Sequence, residues 1–306
     1  EEDVRVLYLV METSKIPPVC DYEGSDYQTT FWEQGERAYE DRVEAIALQR
    51  LLPDSGELLL EVGAGAGRNS PRYDGFKRIV LLDYAHSQLQ QAQDRLGKDG
   101  RYIYVAANAY HLPFVAGLFD AATMIRTLHH MADAPLALQQ VRQVLRPKGI
   151  FILEYANKRN MKAILRYLLR RQDWNPFSPE AVEFAALNFD FHPGTVREWL
   201  RANDFAIERQ LTVSHYRVGF LKRIIPLSIL VAMDSLASLS GDLWQLTPSV
   251  FVRARGVGES HEAPASAFFR CPACNHAPLE ETPQALHCPS CHREWPIRDG
   301  IYDFRT

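Results

Sequence analysis

Four of the five cysteines lie close together near the end of the 306-residue chain. They form two Cys-x-x-Cys pairs, Cys271 with Cys274 and Cys288 with Cys291, and 13 residues separate the pairs. Two such pairs bring four thiolates within tetrahedral reach of one Zn²⁺, and four protein ligands leave no position for water or substrate. The spacing therefore predicts a structural zinc site. The fifth cysteine, Cys20, stands alone, so the cysteine usage indicates a reducing compartment rather than a disulfide framework.

A second group of residues able to do chemistry follows two apolar runs. The run at residues 58–60 ends at Glu61, and the run at residues 79–82 ends at Asp83. Glycines occupy alternate positions after the first run, at Gly63, Gly65 and Gly67. A strand, a glycine-rich turn, a crossover and a second strand begin a doubly wound sheet, whose ligands bind at the carboxyl ends of its strands. Glycine lets backbone approach a ligand, and an acid placed like Asp83 commonly accepts hydrogen bonds from ribose hydroxyls.

The glycine pattern distinguishes between nucleotide ligands. A dinucleotide-binding loop has its third glycine five positions after the first, where this chain has Arg68, and the Lys-Ser/Thr ending of a P-loop is also missing. The form Glu-x-Gly-x-Gly-x-Gly resembles the first motif of the class I S-adenosylmethionine (SAM) methyltransferases, although a glycine-rich turn in another α/β protein would look similar. The resemblance implies that Asp83 holds the ribose, that Glu61 binds the methionine amino group, and that Gly63 and Gly65 form the loop.

A later segment resembles the third motif of the same family. After an apolar run at residues 102–106, Asn108 and Ala109 precede the sequence His-Leu-Pro-Phe. The resemblance implies that the Asn108 side chain accepts from the adenine amino group and that the Ala109 amide donates to the ring. The family usually has aspartate at this position, but asparagine keeps an acceptor oxygen. Tyr84, which follows Asp83, is assigned to the same cofactor site.

Residues 119–125 and the following Arg-Thr-Leu-His-His resemble the family's fourth motif, which faces the sulfonium and the incoming substrate. Arg126 is therefore assigned to the cofactor site, and Asp120 is predicted to be structural. Histidine is the usual general base at neutral pH. Our candidate base is His129, chosen from a set expected near the crevice mouth: His129, His130, Glu154, Tyr155 and His192. The alternative is a histidine that positions the substrate or completes the turn.

These motifs need a sheet that brings strand ends together. Apolar runs and their turns predict a doubly wound, Rossmann-like α/β sheet of seven strands, and the resemblance implies that the seventh is inserted antiparallel beside the sixth. The runs lie at residues 58–60, 79–82, 102–106, 119–125, 150–154, 205–213 and 248–254. The predicted parts are an N-terminal arm or cover, a methyltransferase domain, a linker and a zinc ribbon, at residues 1–35, 36–254, 255–267 and 268–306.

The N-terminal part is aromatic and has little periodicity. Residues 1–10 read as a short strand or an arm, and Met11 is a candidate natural start that would make them an upstream extension. Apolar spacing predicts a helix over residues 36–52, ended by Pro53. The resemblance implies a cover over the cofactor, for which the candidates are Tyr27, Phe31 and Trp32; aromatic packing against the sheet edge is the alternative for each of them.

Two insertions, at residues 157–192 and 217–246, interrupt the predicted domain. Residues 158–171 hold six basic and no acidic residues, and their apolar residues fall at helical spacing. Such a helix can meet a membrane surface or a phosphorylated substrate, but we favour a lid helix that packs its apolar stripe on the protein. The second insertion is strongly apolar and is expected to roof the crevice, which suggests an apolar or lipid-like acceptor. A core-facing cap, or an interface buried in a homodimer, fits the same composition.

The C-terminal segment has a resemblance of its own. Residues 295–301, Trp-Pro-Ile-Arg-Asp-Gly-Ile, resemble the end of the small zinc-ribbon activator subunit of tRNA and translation-factor methyltransferases. In that family the ribbon binds and stabilises a catalytic partner, so here it is expected to do so in cis or to present a strand edge to another chain. So small a segment relies on metal binding, which supplies roughly 10–16 kcal/mol in isolated zinc fingers. We therefore expect chelation to unfold the ribbon and to leave SAM binding largely intact.

Charge and hydropathy limit the function classes. The net charge is −4, and residues 268–306 hold four basic against five acidic residues, so nucleic acid is a poor partner. No apolar run is long enough to span a bilayer, which leaves peripheral membrane contact. The sequence predicts a cytoplasmic, SAM-dependent methyltransferase for a small acceptor, apolar or isoprenoid-like. Two alternatives stay open: a methyltransferase for RNA or protein that uses the ribbon for recognition or activation, and a non-catalytic interaction protein of the same fold.

Overall fold

The computed structural model describes residues 17–25, 32, 37–258 and 262–305. The expectations for residues 1–10, Met11, Tyr27 and Phe31 lie outside these ranges. Among the helices that are described, none is long and apolar enough to cross a membrane.

The strands belong to one large sheet and one small hairpin. In chain order they are β1 (Gly56–Val62), β2 (Phe76–Asp83), β3 (Tyr102–Ala106), β4 (Phe119–Met124), β5 (Leu145–Ala156), β6 (Val182–Ala185), β7 (Asn188–Asp190), β8 (Phe205–Val213), β9 (Ser249–Gly256), β10 (Glu280–Glu281), β11 (Ala285–His287), β12 (Glu294–Arg298) and β13 (Ile301–Asp303). The central strands are continuous apolar runs because helices cover both of their faces.

The first α-helix precedes β1, and the other α-helices lie between these strands. They are α1 (Ala38–Leu51), α2 (His86–Leu96), α3 (Ala134–Val144), α4 (Met161–Leu168), α5 (Pro193–Ala202), α6 (Gly219–Ile224) and α7 (Leu227–Ala237). α1, α2 and α7 pack on one face of the sheet, where Leu48, Leu89 and Leu230 are buried. α3 and α5 pack on the other face through Leu138 and Leu200. Their buried positions recur every three or four residues, so each helix forms as an amphipathic element.

Seven strands form the core of the large sheet in the order β3-β2-β1-β4-β5-β9-β8. The strands β1 to β5 are parallel, and β9 is antiparallel to both of its neighbours, β5 and β8. This confirms the predicted doubly wound α/β fold and the antiparallel insertion beside the sixth strand. The carboxyl ends of the parallel strands consequently meet at one edge of the sheet.

The sheet is wider than predicted, because the C-terminal ribbon extends it to eleven strands. β13 pairs in parallel with β3, and β12, β11 and β10 follow as antiparallel strands. The ribbon also shares its hydrophobic core with the preceding domain, since Phe269, Trp295 and Phe304 lie in the same cluster as Phe114. The predicted number of seven strands comes from the apolar runs. Such runs do not show which strands pair at the edges of a sheet.

The connection to the ribbon is shorter than the linker predicted at residues 255–267. β9 extends to Gly256, and the Val257 amide donates to the Asp204 carbonyl. The Ala263 amide then donates to the Gly117 carbonyl at 3.1 Å. The segment thus packs on the domain on both sides of the residues that the structure leaves undescribed.

The second insertion packs on the first helix, as a core-facing cap would, whereas the first insertion leaves its apolar face exposed. α7 lies on α1, where the Tyr39 hydroxyl donates to the buried Asp234 carboxylate. Lys222 of α6 pairs with Glu40 of α1 at 2.6 Å. α4, however, buries only Ala163, and its apolar stripe is exposed. The expectation of a lid helix packed by that stripe is therefore wrong.

Candidate cofactor site and metal centre

A cavity lies at the carboxyl edge of the parallel strands. It contains about 1050 Å³ of empty space, including its open mouth. The wall brings together all eight residues assigned to the cofactor from the sequence: Glu61, Gly63, Gly65, Asp83, Tyr84, Asn108, Ala109 and Arg126. No residue of 217–246 lines it, so the second insertion does not form the expected roof.

Two features explain why this loop contains glycines: the backbone conformation and the space beside the Cα atoms. Gly63, Gly65 and Gly67 have φ values of +71°, +52° and +71°, a backbone region that side chains rarely adopt. A Cβ at Gly63 would lie 2.2 Å from Thr127 Oγ1, so this glycine lets β1 approach the turn after β4. At Gly65 the nearest atom is 4.0 Å away, on Gln88, so the missing side chain there leaves room in the cavity.

Asp83 ends β2 and is fixed by backbone donors. Its Oδ2 accepts from the Gly65 amide at 2.8 Å, and its Oδ1 accepts from the Ala85 amide at 3.0 Å. Burial raises the pKa of this carboxyl, and the amide donors act in the opposite direction. A carboxylate held against the glycine loop at a strand end is placed to accept from ribose hydroxyls.

Glu61 lies on the cavity wall but is almost fully buried. Its Oε2 accepts from the Ser70 hydroxyl at 2.5 Å, and its Oε1 accepts from the Tyr73 hydroxyl at 3.0 Å. Burial raises the pKa of this carboxyl to about 7, although both hydroxyls favour its charged form. A cation bound beside Glu61 would therefore favour ionisation and release a proton near neutral pH.

The other two motif loops are also fixed by local bonds. The Asn108 Oδ1 accepts from the Tyr110 amide at 2.9 Å, which orients the side chain beside Ala109. Arg126 has a φ of 57°, and its amide donates to Glu154 at 2.9 Å. Its guanidinium pairs with Glu44 of α1 at 3.2 Å. The charge on this wall is thus partly balanced by an acid from the first helix.

The structure brings His130, and not His129, to the cavity wall. His130 Nδ1 lies 3.1 Å from the Leu187 carbonyl, and Nε2 lies 3.1 Å from the Tyr22 hydroxyl. Because a carbonyl only accepts, Nδ1 carries the proton and Nε2 accepts from Tyr22. Burial lowers the pKa of His130 and lowers the pKa of His129 further. Two adjacent histidines are thus both neutral, and only one of them faces the cavity.

The remaining candidates for the general base occupy positions that fit a structural role. His192 caps α5 by accepting from the Gly194 amide at 3.2 Å. Glu154 is buried and accepts from Ser249 at 2.6 Å in addition to the Arg126 amide. Tyr155 is buried and does not line the cavity. As predicted, Asp120 is structural, because it accepts from the amides at the start of β1.

Sequence reasoning missed part of the wall, namely Val19, Cys20 and Tyr22. They belong to a segment without periodicity, so no pattern marks them. The adjacent Glu23 accepts from the amides of His86 and Ser87, at the start of α2, which holds the segment over the cavity. Trp32, a predicted cover residue, also lines the wall.

The four clustered cysteines have the geometry of a metal site. Their Sγ atoms lie within 4.8 Å of one another, with 3.7 Å between Cys271 and Cys291 and 3.5 Å between Cys274 and Cys288. A tetrahedral site with zinc–sulfur bonds of about 2.3 Å has sulfur separations of about 3.8 Å. The donor set and its size therefore fit a four-thiolate zinc site.

The ribbon reaches the cofactor cavity through its last residues. Arg305 pairs with Glu23 at 3.1 Å and with Asp303 at 2.9 Å. The same guanidinium donates to the carbonyl of Tyr84 at 3.4 Å. Since Tyr84 lines the cavity and Glu23 holds its N-terminal wall, the ribbon is connected to the cofactor site by two bonds.

Two family models match separate parts of this chain. Residues 60–153 match the methyltransferase domain family, and residues 267–300 match the Trm112p-like protein family. The fold and the first of these matches therefore place residues 60–153 in a domain similar to the methyltransferase domain family. More particularly, the chain joins this domain to a Trm112p-like segment that carries the cysteine cluster, which confirms both resemblances.

Curated relatives match about half of this chain. An O-methyltransferase of Penicillium expansum is 31% identical over 145 residues, which cover 44% of this chain and 52% of that protein. A demethylmenaquinone methyltransferase of Clavibacter sepedonicus is 29% identical over 181 residues, or 54% of this chain and 73% of that protein. The chain thus spans about half the length of the Penicillium relative.

A solved complex between the Haloferax volcanii Trm112 methyltransferase activator and a methyltransferase contains a similar fold. The TM-score is 0.54 at 14% identity, and the match covers 76% of this chain and 96% of that chain. At this identity the likeness concerns the fold.

Proposed function

We propose that this chain transfers a methyl group from SAM to a small apolar acceptor, quinone-like or isoprenoid-like in character. The observation that carries the proposal is the Asp83 carboxylate, fixed by the Gly65 and Ala85 amides at the wall of an open cavity. The activities after which the relatives are named, O-methylation and demethylmenaquinone methylation, support a small-molecule acceptor.

Each cofactor role follows from a donor or acceptor on the wall. Asp83 accepts from the ribose hydroxyls, and the second lone pair of Asn108 Oδ1 accepts from the adenine amino group. Glu61 faces the methionine ammonium, either directly or through water. Bound SAM supplies an electrophilic methyl group, so the protein has to orient the acceptor and keep the site dry.

We assign the general base to His130 instead of His129. Nε2 of His130 is the unprotonated nitrogen, and its lowered pKa keeps it neutral and able to accept a proton. In this structure the Tyr22 hydroxyl is hydrogen-bonded to Nε2. The hydroxyl of an acceptor can pass its proton to the ring either by taking the place of Tyr22 at Nε2 or through a hydrogen bond to the Tyr22 hydroxyl. His129 then completes the turn behind it.

The ribbon is proposed to act in cis. Zn²⁺ held by the four cysteines would fix its fold, and β13 would then brace β3 and the cavity wall through Arg305. Four clustered thiols indicate a reducing compartment, so we expect the protein in the cytoplasm. The ribbon's near-balanced charge gives it no phosphate-binding surface, which disfavours RNA as the substrate.

Calorimetric titration with SAM and S-adenosylhomocysteine tests the cofactor part. A hydrogen bond to a charged group contributes about 1.5–3 kcal/mol, so Asp83→Ala should weaken SAM binding about tenfold or more. Asp94→Ala, an exposed acid on α2, is the matched control and should bind like the wild type. If a folded, zinc-loaded sample binds neither compound, the cofactor assignment is wrong and the non-catalytic alternative gains.

Radiolabelled SAM tests the acceptor part. We expect label in demethylated quinols or isoprenoid phenols and none in tRNA. His130→Ala should lower kcat far more than SAM affinity, whereas an equal loss in both would place His130 in cofactor binding. Labelled RNA would support the RNA-methylating alternative.

A further inference from the structure

The exposed large apolar side chains are concentrated in the two insertions. All of those in the described residues belong to residues 161–184 or 218–244, except Val257. The most exposed are Phe220, Leu236 and Leu243, at 68%, 73% and 77%. Monomeric soluble proteins rarely expose a large apolar surface without a partner for it.

Both insertions leave the sheet at the edge that holds the cavity. β5 and β8 each run antiparallel to β9, so they are parallel to each other and end at the same edge. The first insertion follows β5, and the second follows β8. The Met161 amide donates to the Leu246 carbonyl at 2.8 Å, which ties the start of α4 to the end of the second insertion. We refer to residues 161–171 and 227–244 together as the cap surface.

The helices of the cap surface turn one face to the protein and the other to solvent. On α7, Leu230 and Asp234 are buried against α1, while Ile229, Met233 and Leu236 are exposed at helical spacing. On α4, a series of exposed apolar residues continues into the following turn: Met161, Leu165, Leu168 and Leu169. The exposed face is thus a property of the folded helices and not of a frayed segment.

Basic side chains accompany this apolar face. Lys162, Arg166, Arg170 and Arg171 are exposed, and none forms an ion pair within the described ranges. Lys158 does not join them, because its Nζ donates to Ser178 and to the Glu180 carbonyl. No acidic residue occurs between positions 158 and 171. The net charge of −4 does not cancel this cluster, since exposed charges are screened beyond about 10 Å.

We propose that the cap surface docks this protein on the face of an anionic lipid bilayer. A short helix with exposed leucines and unpaired Lys and Arg lies in the headgroup region, where the apolar chains enter the acyl boundary and the cations meet lipid phosphates. A second copy of the chain fits less well, because a two-fold contact sets the same basic surface against itself. Docking in this way places the cavity edge against the bilayer, so an apolar acceptor would enter from the lipid. The inference goes beyond the proposed methyl transfer and does not require it.

Sedimentation with lipid vesicles tests the docking. The full-length zinc-loaded protein should bind vesicles that contain 30 mol% phosphatidylglycerol, should bind pure phosphatidylcholine weakly, and should lose affinity as salt rises. Lys162→Glu/Arg166→Glu should reduce binding by about 30-fold or more, since each basic residue near a charged surface contributes about a fivefold factor. Arg78→Glu/Arg201→Glu, two exposed cations outside the cap surface, is the charge-matched control and should bind nearly as the wild type.

The apolar part has its own matched pair. Leu165→Glu/Leu168→Glu should abolish vesicle binding, whereas Val257→Glu, at a large exposed apolar residue outside the insertions, should not. Unchanged SAM titration in solution would show that these variants fold and would keep this test separate from the methyltransferase proposal. Equal binding of both charge-reversed variants, or wild-type dimers that the leucine variant dissociates in light scattering, would overturn the proposal in favour of an ordinary protein interface.

Discussion

The zinc ribbon and the cap surface are both additions to the seven-stranded core, and they differ in the burial of their large apolar side chains. The ribbon pairs β13 with β3 and buries Phe269, Trp295 and Phe304 in the core of the domain. The cap surface leaves Leu168, Leu236 and many neighbours exposed. An addition that pairs with a sheet edge and shares the hydrophobic core is a structural part of the enzyme. An addition whose apolar face is exposed to solvent is instead suited to binding a partner.

Removal of the metal should produce the largest effect, and it acts on the ribbon. Chelation should unfold the ribbon, since zinc supplies roughly 10–16 kcal/mol in isolated fingers. Because Arg305 joins the ribbon to Glu23 and Tyr84, we now expect SAM affinity to fall with it, contrary to the independence expected from the sequence. Circular dichroism and calorimetry with EDTA, followed by zinc addition, measure both effects. Full SAM affinity in an unfolded-ribbon sample would restore the picture of two independent modules.

Two tryptophans compare the regions directly. Trp295 of the ribbon is 2% exposed, and Trp244 beside the cap helices is 57% exposed. Trp295→Ala should cost about 3–5 kcal/mol of unfolding free energy through the lost burial and the cavity left behind. Trp244→Ala should change stability by less than about 0.5 kcal/mol. Urea denaturation measures both values, and similar losses would mean that the cap surface is part of the core after all.

Arg305 tests the connection between ribbon and cofactor wall. Arg305→Ala should weaken SAM binding by about threefold to tenfold, since it removes charge-assisted bonds to Glu23 and Tyr84. Arg298→Ala, which removes only a largely exposed contact to Asp303, is the control and should bind SAM normally. Identical affinities in the two variants would confine the ribbon to a structural role.

An effect of similar or smaller size concerns pH. Burial raises the pKa of Glu61 to about 7, and a bound ammonium favours its ionised form, so SAM binding should release a proton. Affinity should therefore fall about fivefold as pH drops from 7 to 6, a range in which an α-amino group stays protonated. Calorimetry in two buffers of different ionisation enthalpy detects the proton, and Glu61→Gln should remove the dependence. A flat profile in the wild type would separate Glu61 from the ammonium.

The sequence predicted the core and the cavity well because both depend on local patterns. Glu61, Asp83 and Asn108 each follow an apolar run, and parallel strands bring such ends together. The choice between His129 and His130 could not be made in this way, since it depends on how a single turn of 3-10 helix points its side chains. Tyr22 carried no periodic signal. The exposed stripe of α4 was misjudged because periodicity identifies an apolar face but does not show what covers it.

The parallel pairing of β13 with β3 also affects how the protein behaves at low concentration. An activator supplied as a separate subunit leaves its partner on dilution, and specific activity then declines. Here the bracing strand is tethered to the domain that it braces, so occupation of that edge is intramolecular and does not change with dilution. Specific activity should accordingly be the same at nanomolar and micromolar enzyme concentrations. Each chain also carries one copy of both parts, so the two are always produced in a one-to-one ratio.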